Sequence, residues 1–469
     1  MTDLSDTICA PATVPGTGAI SIVRVSGPDA LHIADSVVTL GSGKKISDSK
    51  GYSLHRGTVS DGYDFLDDVL VSVFRAPHSY TGEDGVEISC HASSYIVQRL
   101  LQLLIAQGAR MAEPGEFTRR AFTAGKLDLA EAEAVADLIA SENAAAHRIA
   151  VHQLRGGYSD EMRQMRQRLV EIASLMELEL DFSEEEVEFA DRVELRRLIT
   201  ELSAHIGRLT ASFRLGNAIR NGVPVTIAGA VNSGKSTLLN ALLGEDRAIV
   251  SDIAGTTRDT VEDCLNIGGT LFRFIDTAGI RETGEEIERQ GINRSFSKIS
   301  GADIVLCVVD PGTGPQEMKD SVRTVLAHCS LQEQKLVILV NKTDLEGAEG
   351  MVRFMRSFAA EIDPAIVTLG ISAKYGKGLD QLRETLLKLQ ESRIPAAQTT
   401  LVSNARHYEA LLHAGEALGR LQDALERRIP TDLAAQDIRE ASWWIGSVTG
   451  EITPDDILST IFERFCIGK

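Results

Sequence analysis

The 469-residue chain is long enough for about three domains, and a 43% hydrophobic content suffices for packed cores, excluding a fibrous or unfolded class. A formal net charge of −19 works against a general nucleic-acid coat, because phosphate neutralisation demands clustered Lys and Arg; RNA would have to meet a local basic patch or be held by a partner protein. Cys9, Cys90, Cys264, Cys307, Cys329 and Cys466 are scattered without CxxC or metal spacing, which fits reduced thiols in the cytoplasm and not a zinc site or disulfide framework.

The N-terminus MTDLSDTICAPA lacks a basic region followed by an apolar core, and no run of about 18 apolar residues occurs, so the sequence predicts neither export nor a membrane span. From residue 1 to 118 the pattern is mixed. Ile20–Val25 and Leu66–Phe74 read as strands, punctuated at Pro15-Gly16, Gly27-Pro28 and Pro114-Gly115, and predict a compact α/β or α+β domain.

Residues 119–217 turn helical. Met162, Met165, Leu169, Ile172 and Met176 recur at three-four spacing, as do Leu195, Leu198, Leu202 and Leu209 with one step at seven. Residues 218–390 alternate short β-rich runs (Val223–Ala228, Leu271–Ile275, Ile304–Val309, Leu336–Val340, Ala365–Leu369) with helical stretches, the pattern of a parallel sheet with crossover helices. Residues 391–469 are helical again over 405–465, and Thr453-Pro454-Asp455-Asp456 reads as a helix start. Both helical stretches need a partner for their apolar faces, so the reading is an α/β domain inserted into a discontinuous all-α domain, with a three-domain linear array as the alternative.

The inserted segment carries the chemistry. Gly229-Ala230-Val231-Asn232-Ser233-Gly234-Lys235-Ser236 fits GxxxxGK[ST] and lies between a strand (Val223–Ala228) and a helix (Thr237–Leu243), the context that a phosphate loop requires. There the glycines let backbone N–H groups turn onto phosphates, Lys235 reaches the β and γ oxygens, and the Ser236 hydroxyl ligates Mg²⁺. Three further motifs arrive in the order of a GTPase: Gly255-Thr256-Thr257-Arg258-Asp259, Asp276-Thr277-Ala278-Gly279, and Asn341-Lys342-Thr343-Asp344 after a strand, with Ser372-Ala373-Lys374 backing the base. Asp344 can accept from guanine N1–H and its exocyclic amine, a donor pair adenine lacks. Ile280 stands where Ras-like enzymes place the glutamine that orients the attacking water. Hydrolysis therefore needs other groups, and the residues leave two candidates: Asn232 in the phosphate loop, and the acidic stretch Glu285-Glu286-Ile287-Glu288.

With these motifs on the page the chain resembles, over its whole length, the tRNA-modification GTPase MnmE (TrmE) family. Outside the G domain the resemblance rests on Pro114-Gly115-Glu116-Phe117-Thr118-Arg119-Arg120-Ala121-Phe122, on Gly125-Lys126-Leu127-Asp128-Leu129-Ala130-Glu131-Ala132-Glu133-Ala134, on Asp181-Phe182-Ser183-Glu184-Glu185-Glu186, and on the terminal Cys466-Ile467-Gly468-Lys469. It implies an N-terminal folate-binding domain that also forms a constitutive homodimer, a helical domain made from two chain segments, and an inserted Ras-like P-loop G domain. It further implies GTP contacts at Asn232, Ser233, Gly234, Lys235, Ser236 and Thr237, at Ser251, Asp252, Ile253, Ala254, Gly255, Thr256 and Thr257, at Asp276, Thr277, Ala278 and Gly279, and at Asn341, Lys342, Asp344, Ser372, Ala373 and Lys374. Mg²⁺ falls to Ser236 and Thr257, and K⁺ to Asn232, Ser251, Ile253 and Thr256, where it supplies the charge of an arginine finger.

The same resemblance assigns water positioning to Glu288 and support of the switch to Arg281. It assigns 5-formyl- or 5,10-methylene-tetrahydrofolate to Arg24, Glu87, Lys126 and Lys469. Cys466 is the most tempting nucleophile, although no activating base is visible beside it in the sequence. One departure stands out: Cys90-His91-Ala92-Ser93 replaces the family's usual Cys-His-Gly-Gly, removing backbone conformations open only to glycine.

The implied activity is K⁺-stimulated GTP hydrolysis that, with the FAD-dependent partner MnmG (GidA) in a heterotetramer or larger assembly, installs a carboxymethylaminomethyl or aminomethyl group at C5 of the wobble uridine of tRNA. Two rivals are a ribosome-assembly GTPase, which would carry an appended basic RNA-binding domain, and a folate-dependent aminomethyltransferase whose G domain only regulates.

Overall fold

The computed structural model describes residues 6–62, 64–181, 192–244, 263–275, 299, 301–391, 400–427, 431–452, 458, 461, 462, 465 and 468. The chain divides into two compact units. One comprises Met1–Ala136, His152–Glu186 and Thr431–Lys469, and the other Asp137–Val151 and Val187–Pro430.

The first unit is built on strands β1 (Ile8–Pro11), β2 (Gly18–Ser26), β3 (Val38–Leu40), β4 (Ser53–Asp61), β5 (Asp64–Phe74), β6 (Gly85–Ala92) and β7 (Arg110–Met111), in the order β3-β4-β5-β6-β2-β1-β7. The expected strands at Ile20–Val25 and Leu66–Phe74 are β2 and β5. Alternation decides the faces: along β5, Val69, Val71 and Val73 point inward and are buried, while Leu70 between them is 45% exposed. The inward valines join Val23, Val25, Val86 and Ile88 in a core closed by α1 (Ala30–Val37) and α2 (Ser94–Ala106).

Helix α3 (Glu116–Thr123) is the Pro-Gly-Glu-Phe-Thr-Arg-Arg segment, and it is pinned by charge. Glu116 is fully buried, accepting from Arg110 Nη2 at 2.7 Å, Arg110 Nη1 at 3.0 Å and Arg120 Nη2 at 3.0 Å, and Arg120 also reaches Glu83 Oε1 at 3.1 Å. Burial alone would push the Glu116 carboxyl up, but these guanidinium bonds and the Glu113 N–H outweigh it and hold it below the usual carboxylate range.

Helix α4 (Leu129–Ile139) opens on a reciprocal cap. Glu131 N donates to Asp128 Oδ1 at 2.9 Å, and Asp128 N donates to Glu131 Oε2 at 2.8 Å. After α5 (Ala144–Leu154), α6 (Gly157–Asp181) buries the predicted Met162, Met165, Leu169, Ile172 and Met176 row.

In the second unit α7 (Arg192–Asn221) corrects the predicted stripe. Its buried row is Leu195, Ile199, Leu202, Ile206 and Leu209, with Leu198 only half-buried; Ile206 fills the apparent step at seven. Beyond it lie β8 (Val223–Gly229), α8 (Lys235–Leu243), β9 (Asp263–Ile267), β10 (Thr270–Phe274), β11 (Ile304–Val309), α9 (Pro315–Leu326), β12 (Lys335–Val340), α10 (Ala348–Ile362), β13 (Val367–Gly370) and α11 (Leu379–Glu391). The sheet order is β13-β12-β11-β8-β10-β9, parallel except for the antiparallel β9–β10 pair. Strand β11 is buried at all six residues, as a strand covered on both faces must be. One core lies with α8 and α11, the other with α9 and α10. Strand β9 went unread, although Gly268-Gly269, both at positive φ, marks the hairpin into β10.

The chain then returns as α12 (Ala405–Glu426), capped by Asn404 Oδ1 accepting from Arg406 N at 3.0 Å, and α13 (Thr431–Thr449), which packs on α6 in the first unit. The expected helix start at Thr453-Pro454-Asp455-Asp456 lies outside the described residues. Helix α12 packs along α7, where Phe213 stacks on Tyr408 with centroids 4.3 Å apart. A Cβ on Gly216 of α7 would lie 2.2 Å from the Val402 carbonyl oxygen. Gly216→Ala should therefore lower stability by about 1–3 kcal/mol through overpacking, read as a drop in the thermal unfolding midpoint; an unchanged midpoint would refute this close approach.

Candidate nucleotide site

The phosphate loop leaves β8 at Gly229 and enters α8 at Lys235, as the strand–loop–helix reading requires. Two glycines hold its bends. Gly229 has φ +148° and Gly234 φ +96°, and a Cβ would lie 2.2 Å from Val308 O at the first and 2.2 Å from Asn341 Nδ2 at the second. Asn232 also sits in the left-handed region, at φ +62°, with its side chain exposed at the outer edge of the loop. Lys235 Nζ lies 2.8 Å from Ala230 O and 3.2 Å from Gly229 O, inside the loop it would serve. Ser236 is half-buried and Thr237 exposed in the first helical turn, where the backbone N–H groups and the helix dipole favour an anion. Ser233 is 1% exposed, and its Oγ finds no hydrogen-bond partner among the described residues.

The base-reading segments are tied to this loop by one side chain. Asn341, 3% exposed at the end of β12, donates from Nδ2 to Ser233 O at 2.9 Å and accepts from Ala373 N at Oδ1 at 3.0 Å. Lys342 Nζ donates to Asn232 O at 3.0 Å and to Asp310 Oδ2 at 2.5 Å. Asp344 faces solvent, accepting from Ser372 Oγ at 2.5 Å; that bond holds its carboxyl below the usual range, keeping it an acceptor. Lys374 lies over its neighbour Tyr375, Nζ 5.3 Å from the ring centroid. Asn232 to Thr237, Asn341, Lys342, Asp344, Ser372, Ala373 and Lys374 thus converge on one site. Ser251, Asp252, Ile253, Ala254, Gly255, Thr256, Thr257, Asp276, Thr277, Ala278, Gly279, Ile280, Arg281 and Glu288 lie outside the described residues. Asp310, which anchors Lys342, was missed, because a lone Asp after a buried strand carries no motif.

A second constellation occupies the first unit. Arg24 and Glu87 are register partners on β2 and β6, and Arg24 donates to Glu87 Oε1 from Nε at 3.0 Å and Nη2 at 2.8 Å. Arg24 Nη1 lies 3.3 Å from the carbonyl oxygen of Gly468, so Gly468 reaches this sheet. Lys126 Nζ donates to Pro77 O at 2.8 Å. Lys469 and Cys466 lie outside the described residues. The Ala92-Ser93 departure leaves no strain: Ala92 is not among the positive-φ residues, and Ser93, at φ −105°, precedes α2. Burial pushes the Cys9 and Cys90 thiols up to about 11 and Cys307 to about 12, which makes them unreactive.

Residues 7–126 match the family model "GTP-binding protein TrmE N-terminus", and residues 129–466 match "MnmE helical domain". The tRNA modification GTPase MnmE of Bacteroides thetaiotaomicron is 50% identical over 468 residues, covering 99% of this chain and 99% of the relative. The chain belongs to the MnmE family of tRNA modification GTPases. The MnmE proteins of Christiangramia forsetii and Porphyromonas gingivalis are each 48% identical across 99% of this chain, covering 100% and 98% of those relatives. Like them it is a GTPase, and among the described residues no helix is long and apolar enough to cross a membrane.

Guanine selection by this MnmE family member should rest on Asp344. Asp344→Asn replaces one acceptor with a donor, and nucleotide competition should then favour xanthine over guanine nucleotides. Unchanged preference for GTP would show that Asp344 does not read the base.

Proposed function

We propose that this GTPase works with the FAD-dependent protein MnmG (GidA) to build a carboxymethylaminomethyl or aminomethyl group at C5 of the wobble uridine of tRNA, using a folate one-carbon unit, in the cytoplasm. The observation that carries this reading is the presence in one chain of two separate constellations: a phosphate-and-guanine site in one unit, and the Arg24, Glu87 and Gly468 cluster in the other. A GTPase that only switched would need the first alone.

At the nucleotide site the chain's groups have distinct tasks. The backbone N–H groups of residues 232–236 would bind the phosphates, Lys235 would exchange its loop carbonyls for the β and γ oxygens, and Asp344 and Ala373 would orient guanine. Ser236 and Thr257 would hold Mg²⁺, and Asn232, Ser251, Ile253 and Thr256 would hold K⁺; the half-buried hydroxyl of Ser236 in the first helical turn and the outward Asn232 fit those roles. Bound there, the two ions supply positive charge where negative charge develops on the phosphoryl oxygens. Since Ile280 cannot orient water, that task falls to Glu288, with Arg281 supporting the segment.

In the first unit Arg24, Glu87, Lys126 and Lys469 would bind 5-formyl- or 5,10-methylene-tetrahydrofolate, and the paired Arg24–Glu87, with the Lys126 ammonium held at Pro77 O, fits an anionic, hydrogen-bonding ligand. When bound, folate supplies the one-carbon unit. A homodimer formed through this domain agrees with the sheet's outer face, where Leu54 is 63% and Leu70 45% exposed on neighbouring strands.

Modification of tRNA by the purified chain and the flavoprotein, assayed by nucleoside analysis, should require GTP, folate and K⁺ together. Replacing K⁺ by Na⁺ should slow GTP hydrolysis by roughly 10²–10³, the effect of losing one pre-organised electrostatic group, and Asn232→Ala should abolish the difference between the salts. Equal hydrolysis rates in KCl and NaCl for the unaltered protein would refute the K⁺ mechanism, and modification without the flavoprotein would refute the partnership.

A further inference from the structure

The Arg24 guanidinium is held on more sides than an ion pair requires. Its plane lies over two rings, with Cζ 5.5 Å from the centroid of Tyr80 and 5.6 Å from that of Phe117. Three of the five guanidinium N–H groups are engaged within the described residues, by Glu87 Oε1 twice and Gly468 O once. Two N–H groups have no partner among the described residues and are open to an incoming acceptor. A guanidinium confined in this way is a pre-oriented socket for a carboxylate, because the planar fork is already fixed when the ligand arrives.

Tyr80 is the adjustable member of this collar. Phe117 is fully buried in the hydrophobic cluster with Ile8, Ala10 and Ala112, whereas Tyr80 belongs to the segment between β5 and β6 and is 37% exposed. Its hydroxyl lies 2.9 Å from Thr118 Oγ1 on α3. The segment is anchored on either side: Pro77 O accepts from Lys126 Nζ, and Thr81 Oγ1 lies 2.7 Å from Ser26 Oγ, which also donates to Glu83 Oε2 at 2.7 Å. Glu83 in turn meets Arg120 in the charge network of α3. The two candidate folate cations, Arg24 and Lys126, are thus linked through one segment whose aromatic side chain lies under Arg24.

We infer that Tyr80 is a positioning residue of the folate site: its ring face orients Arg24 to pair with a carboxylate of the ligand, and so makes binding depend on the ligand's glutamate tail. This rests on the folate reading above. The hydroxyl bond to Thr118 steadies the ring, but the ring face supplies the orientation through its negative quadrupole.

Calorimetric titration of the full-length protein with 5-formyltetrahydrofolate and with the carboxamide of 5-formyltetrahydropteroate, which lacks the glutamate and carries no carboxylate, separates the alternatives. The unaltered protein should prefer the glutamate-bearing compound by about tenfold or more. Tyr80→Leu keeps bulk but removes the π face, and should bring that ratio close to one while leaving the affinity for the carboxamide nearly unchanged. Tyr80→Phe should retain the preference. A general loss of structure would weaken both ligands and leave no ratio of this kind. The inference is overturned if Tyr80→Leu keeps the unaltered ratio, if Tyr80→Phe loses it as fully as Tyr80→Leu, or if the unaltered protein binds both compounds equally. Binding of neither compound to the unaltered protein would overturn the folate reading itself, and the role of Tyr80 with it.

Discussion

The nucleotide site depends on the side chain of Asn341. Three segments far apart in sequence must hold one geometry if phosphates and base are to be read together: the loop at 229–236, the strand end at 341–344 and the turn at 372–374. Asn341 joins all three with a buried donor to Ser233 O and a buried acceptor for Ala373 N. An amide offers the two functions on separate atoms, so it can span two segments at once, and in a 3% exposed position either group left unpaired would carry its full desolvation penalty. The close approach of Gly234, where a Cβ would fall 2.2 Å from Asn341 Nδ2, follows from the same bond, since the loop must come near enough for the amide to reach it. Lys342 extends the tie to Asn232, so the residue proposed to sense K⁺ is fixed at its backbone while its side chain stays exposed.

The first unit uses a different device. Charge, not hydrogen-bonded amide, locks α3 against the sheet: Glu116 and Arg120 are buried together and paired with Arg110, Asp6 and Glu83. Breaking one member of such a network leaves an uncompensated buried charge, which is far more damaging than losing a surface pair. That rigidity passes to the segment holding Tyr80 and from there to Arg24. The Pro-Gly-Glu-Phe-Thr-Arg-Arg run therefore supports the candidate folate site through Phe117 and Thr118 without itself supplying its charges.

Most of the nucleotide site was legible because its motifs are local. Gly229 to Ser236 and Asn341 to Asp344 are short runs whose spacing already encodes the loop and the base reader, and the parallel strands between them are continuous apolar runs. What escaped the sequence depends on contacts distant along the chain. Asp310 meets Lys342 only because β11 and β12 are parallel neighbours, and Tyr80 meets Arg24 only through packing against α3. Strand β9 was missed as a short, half-polar edge strand despite the Gly268-Gly269 signal. On α7 the leucine count misled, because Ile199 and Ile206 carry the buried row as well as any leucine does. Substitution of glycine by Ala92 and Ser93 looked restrictive in sequence, yet the chain there is extended backbone that L residues adopt freely.

The most direct test of this account is the affinity of Asn341→Ala for GDP, measured with a fluorescent analogue on protein whose circular dichroism confirms the fold. Loss of both bridging bonds should weaken binding by about a hundredfold, because phosphate loop and base reader no longer share one geometry. Affinity within a factor of about two of the unaltered protein, well inside the effect of a single hydrogen bond, would contradict the claim that Asn341 holds the site together.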